Sequence, residues 1–253
     1  MIHFVGAGPG AADLITLRGK KLLEEADLVI YTGSLVNPEL LRFCGADCEV
    51  QNSAEMTLED VIDAMVRAEG QNRNTVRLHT GDPSVYGAIR EQMDRLDALG
   101  IAYDVTPGVS SFCAAAASLK EEYTLPGVSQ TLILTRMAGR TPVPERERIS
   151  SLAGHGSSMA VFLSAGMLPQ LQEELLRGGY LEETPAAIVF KASWPEEKSV
   201  RCTVGSLSAC AAEQGIDHTA LILVGSFLGK NYERSRLYDP DFTTGFRKGR
   251  EGK

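Results

Sequence analysis

Three glycine-bearing segments carry the strongest chemical signal in this chain: Gly6-Ala7-Gly8-Pro9-Gly10, Gly81-Asp82-Pro83 and Pro107-Gly108-Val109-Ser110-Ser111. Small residues let a ligand approach main-chain N–H and C=O groups closely. One reading of Gly6-x-Gly8-x-x-Ala11 is the dinucleotide-binding turn of an NAD(P)-dependent oxidoreductase. Two details oppose it. The next strand ends in Tyr31-Thr32-Gly33, with no carboxylate for ribose hydroxyls, and Pro9 removes an N–H that a pyrophosphate would use. A tight turn is the plainer reading of any one segment, but less so of all three together. No metal is expected. The five cysteines, Cys44, Cys48, Cys113, Cys202 and Cys210, include no Cys-x-x-Cys pair, and the four histidines stand apart. His79, at a strand end, reads as a buried, satisfied histidine rather than a base.

Alternating strands and helices must hold these segments. Ile2–Val5, Asp27–Tyr31, Thr75–His79 and Ile101–Thr106 read as strands, and residues 17–26, 56–69 and 88–99 as helices, with Thr57 as N-cap of the second. Such alternation predicts a parallel sheet covered by helices, and in such a sheet the carboxyl ends of the strands share one ligand-binding rim. A second series follows, with strands at 130–135, 158–163, 186–192 and 220–226 and helices at 169–178 and 206–214. The expected organisation is two α/β domains with largely parallel sheets: residues 1–115, a linker over 116–127, residues 128–242, and a frayed tail over 243–253.

Composition narrows the function. Lys plus Arg number 25 against 33 Asp plus Glu, a net charge of -8, which argues against a nucleic-acid partner needing a broad basic face. No apolar run is long enough for a membrane helix and the first residues lack a signal-peptide head, so a cytoplasmic location is expected.

Taken in order, Val5-Gly6-Ala7-Gly8-Pro9-Gly10 with Leu14-Ile15-Thr16-Leu17-Arg18-Gly19, Gly81-Asp82-Pro83-Ser84-Val85-Tyr86-Gly87 and Pro107-Gly108-Val109-Ser110-Ser111 resemble the successive signatures of the tetrapyrrole (corrin and porphyrin) methyltransferases. The resemblance runs from Ile2 to about Phe242. It implies two α/β domains, S-adenosylmethionine (SAM) bound in a cleft between them and released as S-adenosylhomocysteine, an anionic tetrapyrrole substrate and a homodimer. Within the family, Tyr31–Asn37, Asn52–Glu55, Thr135–Pro144, Lys191–Pro195 and Phe227–Gly229 are similar to the branch that methylates C-11 of precorrin-4 or cobalt-precorrin-4 in cobalamin biosynthesis. The uroporphyrinogen III branch has an aspartate where Thr32 stands and a lysine close to Asn52 and Ser53. Neither is present here, so no general base is assigned.

The resemblance assigns to the cofactor Pro9, Gly81, Asp82, Val85, Tyr86, Ser110 and Ser111, and from the second domain Phe162, Leu163, Ser164, Ala192, Thr219, Ala220 and Leu221. A carboxylate at Asp82 suits a cationic amino group, with a helix N-cap beside Pro83 as the plainer alternative. For Phe162, Leu163 and Leu221 core packing is the alternative. A polycarboxylate substrate calls for cationic donors, and Arg136, Arg140 and Lys191, which follow strands, are the candidates against plain surface charge. Glu55 is a candidate for orienting a ring N–H, or else a charge near a helix end. A tetrapyrrole carrier without catalysis would keep basic residues but need no cofactor pocket.

Overall fold

The computed structural model describes residues 1–250; the end of the expected tail, 251–253, lies outside them. The chain forms two compact units, Met1–Ser118 with Phe190–Lys198, and Leu119–Val189 with the chain from Ser199 onward.

The first unit is built on a five-stranded sheet: β1 (Ile2–Gly6), β2 (Leu28–Tyr31), β3 (Glu49–Asn52), β4 (Thr75–His79) and β5 (Tyr103–Thr106), in the order β3-β2-β4-β1-β5. Every neighbouring pair is parallel. Helices α1 (Leu17–Glu24), α2 (Leu58–Gly70), α3 (Ile89–Ala98) and α4 (Ser111–Leu119) connect or follow these strands. Alternation along the strands divides the core into two faces. Ile2, Phe4, Leu28 and Ile30 pack with Val61, Met65 and Leu96, while Val5, Val29, Val76 and Leu78 pack with Ile15, Leu23 and Leu40. Burial of both faces explains the near-continuous apolar runs of these strands. Thr57 caps α2 in a reciprocal box: its hydroxyl accepts from Asp60 N–H at 3.2 Å, and the Asp60 carboxylate accepts from Thr57 N–H at 2.9 Å.

The second unit carries β6 (Leu132–Arg136), β7 (Ser158–Phe162), β8 (Pro185–Phe190), β9 (Lys198–Thr203) and β10 (Ala220–Val224) in the order β6-β7-β10-β8-β9, with α5 (Ile149–Ala153), α6 (Leu168–Arg177) and α7 (Leu207–Gln214). The two α/β units are as expected, but the second sheet is not parallel throughout. β6 and β7 are parallel, but β10 runs antiparallel to β7, so this sheet is mixed. Two strands also escaped the sequence reading, β3 and β9. Both are sheet edges with largely exposed, polar sequences, Glu-Val-Gln-Asn and Lys-Ser-Val-Arg-Cys-Thr, and lack the apolar pattern that marks a buried strand.

A polar stripe lies beneath the helices of the first unit. On central strand β4, Thr75, Arg77 and His79 alternate toward α2 and α3 and are all buried. Arg77 Nε donates to Gln92 Oε1 and its Nη1 to Ile30 O, each at 3.1 Å. His79 is buried as expected, but it is not satisfied: its Nε2 has no hydrogen-bond partner. Burial first, and then the nearby Arg77 charge, push its pKa down to about 3. An unfolded chain therefore takes up this proton before the folded one does. Stability from the neutral imidazole is complete above about pH 6.5 and is lost as pH falls toward 3. In denaturant titrations, His79 should contribute a decline of up to about 1.4 kcal/mol per pH unit between pH 6 and 4, and His79→Leu should remove that part of the slope. An unchanged slope would mean that the imidazole is hydrated in solution.

Candidate functional site

Strands β4, β1 and β5 are adjacent, and their carboxyl ends deliver Gly81, Gly6 and Gly108 to one rim. There the chain packs main chain on main chain. A Cβ added to Gly6 would lie 2.5 Å from Gly108 Cα, and one added to Gly108 would lie 2.1 Å from Gly81 O. Gly8 and Gly81 form a two-way bridge, Gly8 N–H to Gly81 O at 3.2 Å and Gly81 N–H to Gly8 O at 2.9 Å. Gly81 itself has φ +61°, a conformation that favours glycine.

Asp82 latches this rim. One carboxylate oxygen accepts from Gly108 N–H at 2.8 Å; the other accepts from Ser84 N–H at 2.9 Å and from the Ser84 hydroxyl. Partial burial acts to raise the Asp82 pKa, but these hydrogen bonds together outweigh it and hold the carboxyl below its ordinary value. Asp82 does not cap α3, whose N-cap is Ala88. Val85 N–H bonds back to Asp82 O at 3.2 Å, and Tyr86 follows at φ +57° and is 45% exposed. Ser110 is buried and its carbonyl accepts from Cys113 N–H, so Ser111 opens α4 directly at the rim. At the neighbouring end of β2 the Thr32 and Thr80 hydroxyls lie 3.3 Å apart. Glu55 is exposed at the end of a short turn beyond β3.

The turn after β1 is already wired to protein groups. Pro9 O accepts from Trp194 Nε1 at 3.1 Å, Gly10 O accepts from Asn37 Nδ2 at 2.9 Å, and Ala11 N–H donates to Ser193 Oγ at 3.0 Å. A pyrophosphate would find the Ala11 N–H taken. Lys191 and Ala192, expected with the second domain, are grouped with the first unit in the same segment as Trp194. An open groove of about 400 Å³ beside this turn is lined by Ala11, Asp13, Glu39, Arg42, Trp194 and Pro195; its one cation, Arg42, is ion-paired with Glu39.

In the second unit, antiparallel β10 makes the local geometry. The pairing of Ile222 with Val161 sets the start of β10 beside the end of β7, so Thr219, Ala220 and Leu221 lie next to Phe162, Leu163 and Ser164. Parallel pairing sets Arg136 opposite Phe162. Ser164 is fully buried and ties these ends together: its hydroxyl accepts from Met137 N–H at 2.9 Å and donates to Phe162 O at 2.6 Å. Leu163 has φ +52° and is 62% exposed, so it is not core; Leu221 is buried. Thr219 has φ +47°. Arg136 donates through Nη1 and Nη2 to carbonyls of its own loop, those of Met137, Thr141 and Pro142, at 2.8–3.2 Å. Arg140 is exposed on that loop.

Comparison with known proteins decides the family. The family model described as Tetrapyrrole (Corrin/Porphyrin) Methylases matches residues 1–208. The chain belongs to this family. The methylase is 53% identical over 248 residues to the cobalt-precorrin-4 C(11)-methyltransferase of Methanocaldococcus jannaschii, across 98% of this chain and 96% of the relative. An X-ray structure of a cobalamin biosynthetic enzyme, cobalt precorrin-4 methyltransferase, matches it with TM-score 0.88 and 44% identity, across 90% of this chain and 96% of that one. A uroporphyrin-III C-methyl transferase from Thermus thermophilus, complexed with S-adenyl homocysteine, matches with TM-score 0.72 and 26% identity, across 90% and 92%.

Trp194, Ser193 and Asn37 went unassigned in the sequence, although they hold the methylase's first glycine turn. No local pattern marks an indole N–H that finds a carbonyl 185 residues away. The rim makes a direct prediction. Gly108→Ala must push a methyl group into Gly81 O and should destabilise the first unit by about 1–3 kcal/mol. Gly45→Ala, where nothing lies within 4 Å, should stay within about 0.5 kcal/mol of the parent in the same denaturation measurement. Equal effects would mean that the rim relaxes freely.

Proposed function

We propose that this methylase transfers a methyl group from S-adenosylmethionine to C-11 of precorrin-4 or its cobalt form in cobalamin biosynthesis. The observation that carries the reading is the rim of Gly6, Gly81 and Gly108, together with relatives named for C-11 methylation. The rim fits the cofactor in kind: it holds the anionic Asp82, fixed by the Gly108 and Ser84 N–H groups, at the strand ends, where a carboxylate suits a cationic amino group. S-adenosylmethionine supplies an electrophilic methyl group on a sulfonium.

The residues proposed for it are Pro9, Gly81, Asp82, Val85, Tyr86, Ser110, Ser111 and Ala192 of the first unit, and Phe162, Leu163, Ser164, Thr219, Ala220 and Leu221 of the second. Several are held in uncommon backbone states. Tyr86, Leu163 and Thr219 all have positive φ, and such strain persists where surrounding bonds over-determine it and clusters at binding sites. Burial of Ser164 and the triple engagement of Asp82 fix these segments in advance, so little ordering remains to be done on binding.

The acceptor carbon of a reduced tetrapyrrole is enamine-like: the ring nitrogen supplies the electron pair, the new C–C bond forms as the S–C bond breaks, and a proton then leaves. Positioning dominates such a displacement, and a strong base is not needed. Thr32 and Thr80, paired hydroxyls where a related branch has an aspartate, fit that chemistry. Arg136, Arg140 and Lys191 are the proposed partners of the substrate carboxylates; Arg136 also shapes the loop that carries Arg140. Glu55, exposed beyond β3, is proposed to face a ring N–H.

A cytoplasmic homodimer completes the proposal. All five cysteines are free thiols, as suits a reducing compartment, and burial raises Cys44 to about 11 and Cys202 to about 12, which keeps them protonated. The homodimer rests on the family resemblance.

Incubation with S-adenosylmethionine and precorrin-4 or cobalt-precorrin-4 should give a product heavier by one methyl group, with the carbon assigned to C-11 by NMR. Methylation at another carbon, or calorimetric binding of NAD(P)H in place of S-adenosylhomocysteine, would overturn the reading. Arg140→Ala should raise the tetrapyrrole KM about 5–30-fold while leaving S-adenosylhomocysteine affinity unchanged. A wild-type KM would remove Arg140 from the substrate site.

A further inference from the structure

Trp194 touches two things that the reading above treats separately. Its Nε1 donates to Pro9 O at 3.1 Å, and its indole edge lies so close to the next residue that a Cβ on Gly10 would be 2.0 Å from Cδ1 and 2.3 Å from Nε1. Its ring also carries the Lys191 ammonium, 5.0 Å from the centroid. Lys191 is three-quarters buried at the side chain and has two further partners, Glu196 at 3.5 Å and the Phe190 ring, 5.7 Å from its centroid.

The backbone that presents Trp194 is strained. Lys191 has φ +46° and Ser193 φ +68°, neither of them glycine. The turn is held by Trp194 N–H to Lys191 O at 2.9 Å and by the Glu197 carboxylate, which accepts from Ser193 N–H at 2.5 Å and from the Ser118 hydroxyl. Ser193 Oγ then takes Ala11 N–H. A surface loop that merely joined β8 to β9 would need none of this, since two strained residues persist only where neighbours over-determine them.

We propose that Trp194 is a positioning residue that seats the Pro9–Gly10 turn with its N–H and the Lys191 ammonium with its ring, setting the cofactor wall and the substrate-carboxylate cation from one side chain. This inference rests on the functional reading above. The division of labour is chemical. The N–H is a directional donor that fixes a carbonyl, whereas the ring face attracts a cation through its quadrupole and lacks any hydrogen to donate. Phenylalanine keeps the second property and loses the first.

The test uses the full-length enzyme, with S-adenosylhomocysteine affinity measured by calorimetry and the tetrapyrrole KM by methyl transfer at saturating S-adenosylmethionine. Trp194→Phe should weaken S-adenosylhomocysteine about 5–10-fold and leave the tetrapyrrole KM within about twofold, because only a hydrogen bond is lost. Lys191→Met should do the reverse, raising the tetrapyrrole KM with S-adenosylhomocysteine affinity unchanged. Trp194→Leu should impair both; if it fails to fold, the first two variants still decide. Loss of both functions in parallel in Trp194→Phe, or no loss in it at all, overturns the proposal while wild-type binding leaves the functional reading intact. No S-adenosylhomocysteine binding by the wild-type enzyme overturns both.

Discussion

The contact on which the first unit depends is main chain against main chain at the ends of β1, β4 and β5. Gly108 approaches Gly81 O and Gly6 so closely that no side chain fits at either glycine. The strand order β4-β1-β5 follows from this as much as it causes it, since only three adjacent parallel strands bring those ends to one rim. Such close approach needs its polar groups satisfied. Gly8 and Gly81 exchange N–H and C=O, and the Gly108 N–H is met by Asp82. Asp82 is therefore a structural residue of the rim, and its remaining lone pairs are presented in a fixed direction.

The second unit ties its strand ends together by other means. Three strand ends are made adjacent by a change of strand direction, and a buried serine, Ser164, takes the place of glycine packing as the tie. Both units leave residues at positive φ where the loops face outward, Tyr86 in one and Leu163 in the other, with large apolar side chains exposed. Exposed apolar groups on strained, well-tied backbone are economical for contacting a ligand, because their order is established during folding rather than on binding.

What the sequence made legible was whatever has a short-range signature. Glycine after a β-prone run marked the strand ends, Thr57 with Asp60 marked a helix start, and the successive motifs pointed to the family. Edge strands β3 and β9 were invisible because a polar edge needs no apolar periodicity. The antiparallel direction of β10 was invisible too: the α7 connection that precedes it reads the same for either direction. The clamp of Trp194, Ser193 and Asn37 on the first turn joins residues 27 to 185 positions apart, through donors that no spacing rule predicts. Arg136 was legible as a cation at a strand end, but its hydrogen bonds to the carbonyls of its own loop were not.

The central claim is that the rim is built before any ligand arrives, and amide hydrogen exchange reads this directly. In the ligand-free protein the amides of Gly8, Ala11, Gly81 and Gly108 all donate to protein acceptors, and they should exchange nearly as slowly as those of β4, with little further slowing when S-adenosylhomocysteine is added. Fast exchange at these four amides in the free protein, with protection gained only on adding ligand, would show that the rim forms around its ligand and contradict the account.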